Sequence, residues 1–234
     1  MDTNWYNDVN SFAVHTAWLH GFMKPYAVYG VGLFAILVLF AWWYARSQTN
    51  PPRAVAAAIW AAAGTVIAVG LNQIIVNAVA RPRPYVTLHG VEVLVSRSTD
   101  YSFPSDHTVT AGAAAAGLWI IAHYGGRAAR WIATVGTVLA LLLAFARVYV
   151  GAHYPGDVTA GLLIGAAISV VGWLAVKHIL TIIVERIARQ EPLRLFVYGH
   201  RPAHLAGRSD TEPTGRPAMT SPRSVPRAAR RQAN

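Results

Sequence analysis

Three short polar clusters, each at the end of a long apolar stretch, contain side chains suited to chemistry. They occupy residues 81–85 (RPRPY), 102–108 (SFPSDHT) and 147–157 (RVYVGAHYPGD). Ionisable residues beside membrane-type helices are costly to place, so they are candidates for a functional site. Together the clusters combine arginines, two histidines, aspartates and serines, a set that suits an anionic substrate.

The arginines predict a phosphate-binding site. Arg81, Arg83 and Arg147 carry guanidinium groups that stay charged and bind phosphate oxygens in a bidentate manner. Ser105 and the backbone amides at the start of the helix near His107 can donate to the same anion. Phosphoryl transfer depends mainly on positioning and on charge stabilisation, and this set supplies both without a metal.

Two histidines and an aspartate predict acid–base and nucleophilic roles. His107 and His153 can divide the roles of nucleophile and general acid. Asp157 follows His153 by four residues, close enough to accept its ring N–H and leave the other nitrogen free to attack. Cysteine is absent and no other His, Asp or Glu cluster has metal-ligand spacing, so we expect neither a catalytic metal nor a cofactor.

The composition predicts an integral membrane protein. The chain is 54% hydrophobic and 13% charged, whereas soluble domains carry about 25% charged residues. Residues 5–20 predict an N-terminal helix that lies in the membrane interface or enters the membrane as a sixth helix. We therefore expect an all-α, polytopic transmembrane bundle of about five spanning helices. The predicted spans are residues 25–45, 54–80, 109–124, 131–150 and 158–184.

The distribution of charge predicts the orientation. Half of the net charge of +10 lies in residues 190–234, which hold eight arginines and three acids and read as a disordered basic tail. Residues 1–189 form the membrane-embedded domain. The basic loops at residues 46–53 and 125–130 share the side of the tail, which makes that side cytoplasmic. The three polar clusters then meet on the extracytoplasmic face of the plasma (inner) membrane, and a charge concentrated in a tail argues against a nucleic-acid partner.

The order of motifs resembles a known family. RP, then PS-x-H, then R-x5-H-x3-D is the pattern of the type 2 phosphatidic acid phosphatase (PAP2) superfamily, which also includes vanadium haloperoxidases. Within it, residues 100–107 and 147–158 resemble the bacitracin-resistance type of undecaprenyl pyrophosphate phosphatase. The resemblance covers residues 4–184. It implies a membrane phosphatase that converts a polyprenyl diphosphate to the monophosphate and so recycles the lipid carrier of cell-wall synthesis.

The resemblance also implies a role for each motif residue. His153 would be the nucleophile that forms a phosphohistidine, Asp157 would orient it, and His107 would protonate the leaving group. The residues implied to bind the transferred phosphoryl group are Arg83, Arg147 and Ser105, with Arg81 nearby.

Two departures from the family pattern stand out. The family has a lysine seven residues before its RP arginine, but the corresponding positions here hold Val76 or Ile74. Either an asparagine of this helix, such as Asn77, takes part of the role of the lysine, or the phosphate site has one cation fewer. The third motif begins with Ala146 in place of the usual serine, while its arginine is retained.

Several alternatives remain open from the sequence. Asp106 either tunes His107 or caps the following helix, and Arg97 either meets a diphosphate or is a solvated loop residue. The same chemistry could act on phosphatidylglycerol phosphate or phosphatidate, because fold does not determine substrate. The missing lysine favours a catalytically silent membrane scaffold, whereas the presence of both histidines and of Asp157 favours an enzyme.

Overall fold

The computed structural model describes residues 1–199, which are entirely helical apart from loops and turns. This confirms the all-α prediction. The helices are α1 (Asp2–His15), α2 (His20–Tyr29), α3 (Val31–Ala45), α4 (Pro51–Val79), α5 (Pro84–Thr87), α6 (Asp106–Tyr124), α7 (Arg127–Tyr149), α8 (Pro155–Ala188) and α9 (Arg194–Val197), with short 3-10 turns at Ala17–Leu19 and Glu191–Leu193.

Three segments within residues 1–199 are long and apolar enough to cross a membrane. They are Pro51–Thr87, which contains α4, and the helices α7 and α8. The predicted span at residues 25–45 is instead divided between α2 and α3, which meet at a 61° bend and give a fourth crossing if they count as one.

The remaining predicted span corresponds to α6, which does not reach the hydropathy of those three segments over a membrane-spanning length. This helix packs against α3, α4, α7 and α8. A Cβ atom added at Gly112 would overlap the backbone of Leu162 in α8, and one at Gly117 would overlap Ala61 in α4. Small residues therefore let α6 approach both neighbours closely, as expected for helices that pack in lipid. A helix in this central position needs little apolar surface of its own.

Helix α1 lies across the end of the bundle that carries the polar clusters. At 14 residues it is shorter than the about 20 residues that a spanning helix needs. It buries Tyr6, Asn10 and Ala13. The Asn10 amide also bonds the backbone of Glu92, in both directions, at 2.8 and 3.0 Å. These contacts hold the segment between α5 and α6 in place over the bundle.

The first ten residues of the predicted disordered tail are ordered, which corrects the prediction for residues 190–199. Val197 of α9 is fully buried, and the Phe196 ring lies 5.0 Å from the Trp42 ring. Arg46 donates to the carbonyl of Leu195 at 2.9 Å. The sequence supplies this contact with four apolar residues between 193 and 197. Residues 200–234 lie outside the described residues, so the prediction of disorder there stays a prediction.

Candidate active site

The three polar clusters converge at one end of the bundle. Helix α4 ends where Ala80 adopts the left-handed conformation (φ 49°), and the chain then turns through the first cluster. The second cluster leads into α6, and the third joins α7 to α8. They surround a cavity of about 320 Å³. Its lining residues are Val28, Arg83, Tyr85, Val95, Ser96, Ser98, Asp100, Tyr101, Pro104, Asp106, His107, Arg147, Ala152 and His153.

The geometry around His153 fixes its tautomer. Its Nε2 lies 3.2 Å from a guanidinium nitrogen of Arg83 and 3.2 Å from one of Arg147. Its Nδ1 lies 2.8 Å from the carbonyl oxygen of Ser102. Because a guanidinium only donates and a carbonyl only accepts, the ring carries its proton on Nδ1. The lone pair of Nε2 therefore points toward the two arginines that line the cavity.

The surroundings of His153 also keep it neutral. The ring is 2% exposed. Burial, followed by the positive charges of Arg147 and Arg83, holds the pKa of His153 well below its usual range. A neutral imidazole with a free nitrogen is the form that can act as a nucleophile.

The loop that carries His153 depends on a glycine. Gly151 has φ +78°, a conformation that residues with a Cβ atom rarely adopt. A Cβ atom at this position would also overlap the carbonyl of Glu92. Glycine therefore lets the turn after α7 pack closely against the segment around Glu92. This packing places His153 at the cavity.

Asp157 does not form the predicted direct hydrogen bond to His153. It is linked to His153 through Ser102. The Asp157 Oδ2 atom is 4.0 Å from His153 Nδ1. It accepts instead from the Ser102 hydroxyl at 2.5 Å and from the backbone N–H of Tyr154 at 3.0 Å. Ser102 thus links the two residues, because its carbonyl bonds the imidazole and its hydroxyl bonds the carboxylate. Sequence reasoning assigned Ser102 no role, although it lies within the second cluster.

Arg81 lies outside the cavity lining, in contrast to its predicted place among the phosphate ligands. Its guanidinium donates to Asp157 at 2.6 Å and to Asp2 of α1 at 2.7 Å. It also stacks 4.0 Å from the ring centroid of Tyr154. The physical reason is charge balance, because the Asp157 side chain is fully buried and needs a cation beside it.

Arg83 and Arg147 both line the cavity, and both contact Nε2 of His153. Arg83 is 7% exposed and pairs with Asp100, which lies 2.8 Å from its Nη2. Burial raises the pKa of Asp100, but a hydrogen bond from Ser98 and the charge of Arg83 lower it by more. The pKa of Asp100 is therefore below its usual value, and the carboxyl stays ionised. Arg147 is 6% exposed and also donates to the carbonyl of Ala27 at 3.1 Å.

Ser105 and Asp106 occupy the start of α6. Ser105 is fully buried, its hydroxyl has no hydrogen-bond partner among residues 1–199, and it does not line the cavity. Asp106 does line it, and its Oδ1 accepts from the amides of Asn72 at 2.7 Å and Gln73 at 2.9 Å. These two amides therefore fix Asp106 beside His107. Both amides belong to α4, the helix in which the family has its lysine.

Two further residues singled out in the sequence do not line the cavity. Asn77 donates to the carbonyl of Gln73 within α4. Arg97 lies over the ring of Tyr85 at 5.7 Å from the centroid, while its neighbours Ser96 and Ser98 line the cavity. Within residues 1–199 there is no group of three or more His, Cys, Asp or Glu side chains placed to hold a metal ion.

Comparisons with known proteins agree with the motifs. The pattern of the PAP2 superfamily matches residues 57–181. Undecaprenyl-diphosphatase BcrC of Bacillus subtilis is 30% identical over 168 residues, which cover 72% of this chain and 80% of that protein. An undecaprenyl-diphosphatase of Sulfolobus acidocaldarius is 35% identical over 104 residues, 44% of this chain and 48% of that protein.

Two crystal structures have a similar fold. The PAP2-type phosphatidylglycerolphosphate phosphatase of Bacillus subtilis has a TM-score of 0.54 at 19% identity and covers 72% of this chain and 83% of its own. LpxE of Aquifex aeolicus has a TM-score of 0.52 at 23% identity, and the match covers 73% of this chain and 93% of LpxE. With the family pattern and the apolar helices, these findings establish the class of the protein: the chain belongs to the PAP2 superfamily and is an integral membrane phosphatase of lipid phosphates.

Proposed function

We propose that this enzyme removes the terminal phosphate of a polyprenyl diphosphate of the undecaprenyl type, through a phosphohistidine formed on His153. The observation that carries the proposal is the unprotonated Nε2 of His153, which lies at the cavity 3.2 Å from a guanidinium nitrogen of Arg83 and 3.2 Å from one of Arg147. The undecaprenyl-diphosphatase relatives support the choice of substrate.

In the first step, Nε2 of His153 attacks the terminal phosphorus and the bond from that phosphorus to the bridging oxygen breaks. His107, which lines the same cavity from the first turn of α6, donates a proton to the departing lipid monophosphate. Arg83 and Arg147 stabilise the charge on the transferred group. The Nδ1 proton stays on the imidazole, where the Ser102 carbonyl holds it.

In the second step, water attacks the phosphorus of the phosphohistidine and the N–P bond breaks. His107, now without its proton, accepts one from the water. Inorganic phosphate leaves, and His153 returns to the neutral Nδ1–H tautomer. Each histidine thus ends the cycle in the protonation state in which it began.

An apolar groove next to the active site supports a lipid substrate. It has a volume of about 360 Å³ and lies between α3, α4 and α6. Thr110 and Ala114 line it one and two turns along α6 from Asp106, and Val31 lines it just beyond Val28 of the active-site cavity. A lipid chain can therefore lie in the groove while its diphosphate enters the cavity. We place this end of the bundle on the extracytoplasmic side, since the basic loops lie at the other end.

The experiment is phosphate release by the detergent-purified full chain, with undecaprenyl diphosphate, phosphatidylglycerol phosphate and phosphatidate in pairwise competition. We expect the largest kcat/KM for undecaprenyl diphosphate and loss of all three activities in His153→Ala. His178→Ala is the matched control, because His178 is exposed at the opposite end of the bundle and should keep full activity. A preference for either glycerolipid would overturn the proposed substrate.

A further inference from the structure

A second pair of cavities lies at the end of the bundle opposite the active site. Helix α6 ends there, α4 begins there, and α8 packs against both. None of the residues that line these cavities lines the active site or the groove beside it.

One of the pair is an apolar groove between α6 and α8, with a volume of about 510 Å³. The Trp173 ring forms its buried wall and packs edge-on against Tyr124, with 6.1 Å between centroids. The groove extends along α8 from Val170 to Lys177, eight residues that span about 10 Å of helix. Its lining residues are Ala116, Trp119, Ile120, His123, Tyr124, Val170, Trp173, Leu174 and Lys177.

The other is a polar cavity of about 300 Å³ that continues the groove. Tyr124 and Lys177 line both, so the two are contiguous. Its lining residues are Arg53, Tyr124, Lys177, His178, Thr181, Ile182 and Glu185. Within residues 1–199 neither Arg53 nor Lys177 forms an ion pair.

We propose that this composite site binds one anionic phospholipid from the leaflet at that end of the bundle. Its phosphate lies between Arg53 and Lys177, and the upper part of one acyl chain lies in the groove beside Trp173. An apolar groove about 10 Å long that opens into a cavity with two unpaired cations matches a ligand with a chain and a phosphate. Aromatic side chains such as Tyr124 suit the boundary between the two parts.

The charge of the site selects an anionic head group over a zwitterionic one. Arg53 and Lys177 contribute two positive charges and Glu185 one negative charge, so these three side chains together carry a net charge of +1. A lipid with one negative charge neutralises this excess. Glu185 then acts as a like charge that weakens binding, whereas it would strengthen binding of a head group that carries an ammonium.

The test is native mass spectrometry of the detergent-purified full chain, titrated with dioleoyl phosphatidylglycerol or dioleoyl phosphatidylcholine. We expect one phosphatidylglycerol to be retained in preference to phosphatidylcholine. Lys177→Gln should weaken its retention about fivefold, the effect of one basic residue near an anionic head group. Lys177→Arg should restore retention, and Glu185→Gln should increase it.

Arg127→Gln is the matched control, because Arg127 lies at the start of α7 at the same end of the bundle but lines neither cavity. Its phosphatidylglycerol retention should equal that of the wild type. Equal retention of both lipids would overturn the proposal, as would equal losses in Lys177→Gln and Arg127→Gln. Weaker retention in Glu185→Gln would contradict an anionic head group. Equal melting temperatures of the variants in detergent alone would show that all of them fold.

Discussion

Replacing Arg81 by glutamine tests whether this arginine stabilises the buried Asp157 carboxylate or binds phosphate. Asp157 is fully buried and Arg81 is 30% exposed, with 2.6 Å between them. Removing one partner of a buried pair costs about 3–5 kcal/mol. Since Asp157 keeps its bonds from Ser102 and from the Tyr154 N–H, we expect about 3 kcal/mol, the lower end of that range. The melting temperature should fall by about 6–12 °C.

The kinetic signature should separate the two roles. Arg81→Gln should lower kcat, because Asp157 and Ser102 no longer hold His153 firmly, but it should change inhibition by orthovanadate less than threefold. Arg83→Gln should weaken vanadate inhibition about tenfold or more, the effect of one charged hydrogen bond. Steady-state kinetics with undecaprenyl diphosphate and vanadate titrations measure both.

A double-mutant cycle supplies the control. In the Asp157→Asn background the buried charge is gone, so adding Arg81→Gln should cost about 1 kcal/mol or less, the range of an exposed pair such as Arg81–Asp2. If Arg81→Gln weakens vanadate inhibition as much as Arg83→Gln and leaves the melting temperature near that of the wild type, Arg81 binds phosphate and does not stabilise Asp157.

Three further predictions concern Ser102, His153 and the contact between α6 and α8. Ser102→Ala should lower kcat about tenfold with little change in KM, because it removes a charged hydrogen bond worth about 1.5–3 kcal/mol; kinetics beside Ser102→Thr measure this. The pKa of His153 is lowered by folding, so below about pH 6.5 the unfolded chain binds a proton that the native site does not. Stability should fall with acid less steeply in His153→Gln, as melting curves between pH 7 and 5 should show. Gly161→Ala should lower the melting temperature because its Cβ atom would meet the backbone of Ser105, whereas Gly70→Ala, which faces open space, should not.

Much of the fold can be predicted from the lengths of the apolar segments in the sequence. The predicted spans correspond to the observed helices because residues such as those of α4 and α7 form long apolar runs. The bend between α2 and α3 leaves no comparable sign in the sequence, since hydropathy is continuous across Gly30. The folding of residues 190–199 was not predicted from the sequence. The composition of the basic tail as a whole is polar, and it conceals the short apolar segment around Val197.

The site was predictable as a set of residues but not as a set of contacts. Motif spacing brought together His107, His153 and Arg147, which all line the cavity. Spacing cannot say which acceptor a ring nitrogen reaches, and the Ser102 carbonyl lies closer to His153 than the predicted Asp157. The position of Arg81 depends on Asp157 and on Asp2 of α1, both of which are distant from it in sequence.

Trapping the covalent intermediate would show whether His153 is the nucleophile. The wild-type enzyme is mixed with undecaprenyl diphosphate labelled in its terminal phosphate, quenched with alkali within one turnover, and its peptides are analysed by mass spectrometry. We expect a labelled phosphoryl group on His153, absent in His153→Ala and present in His178→Ala. Release of labelled phosphate in that turnover without label on His153, or continued turnover by His153→Ala, would contradict it.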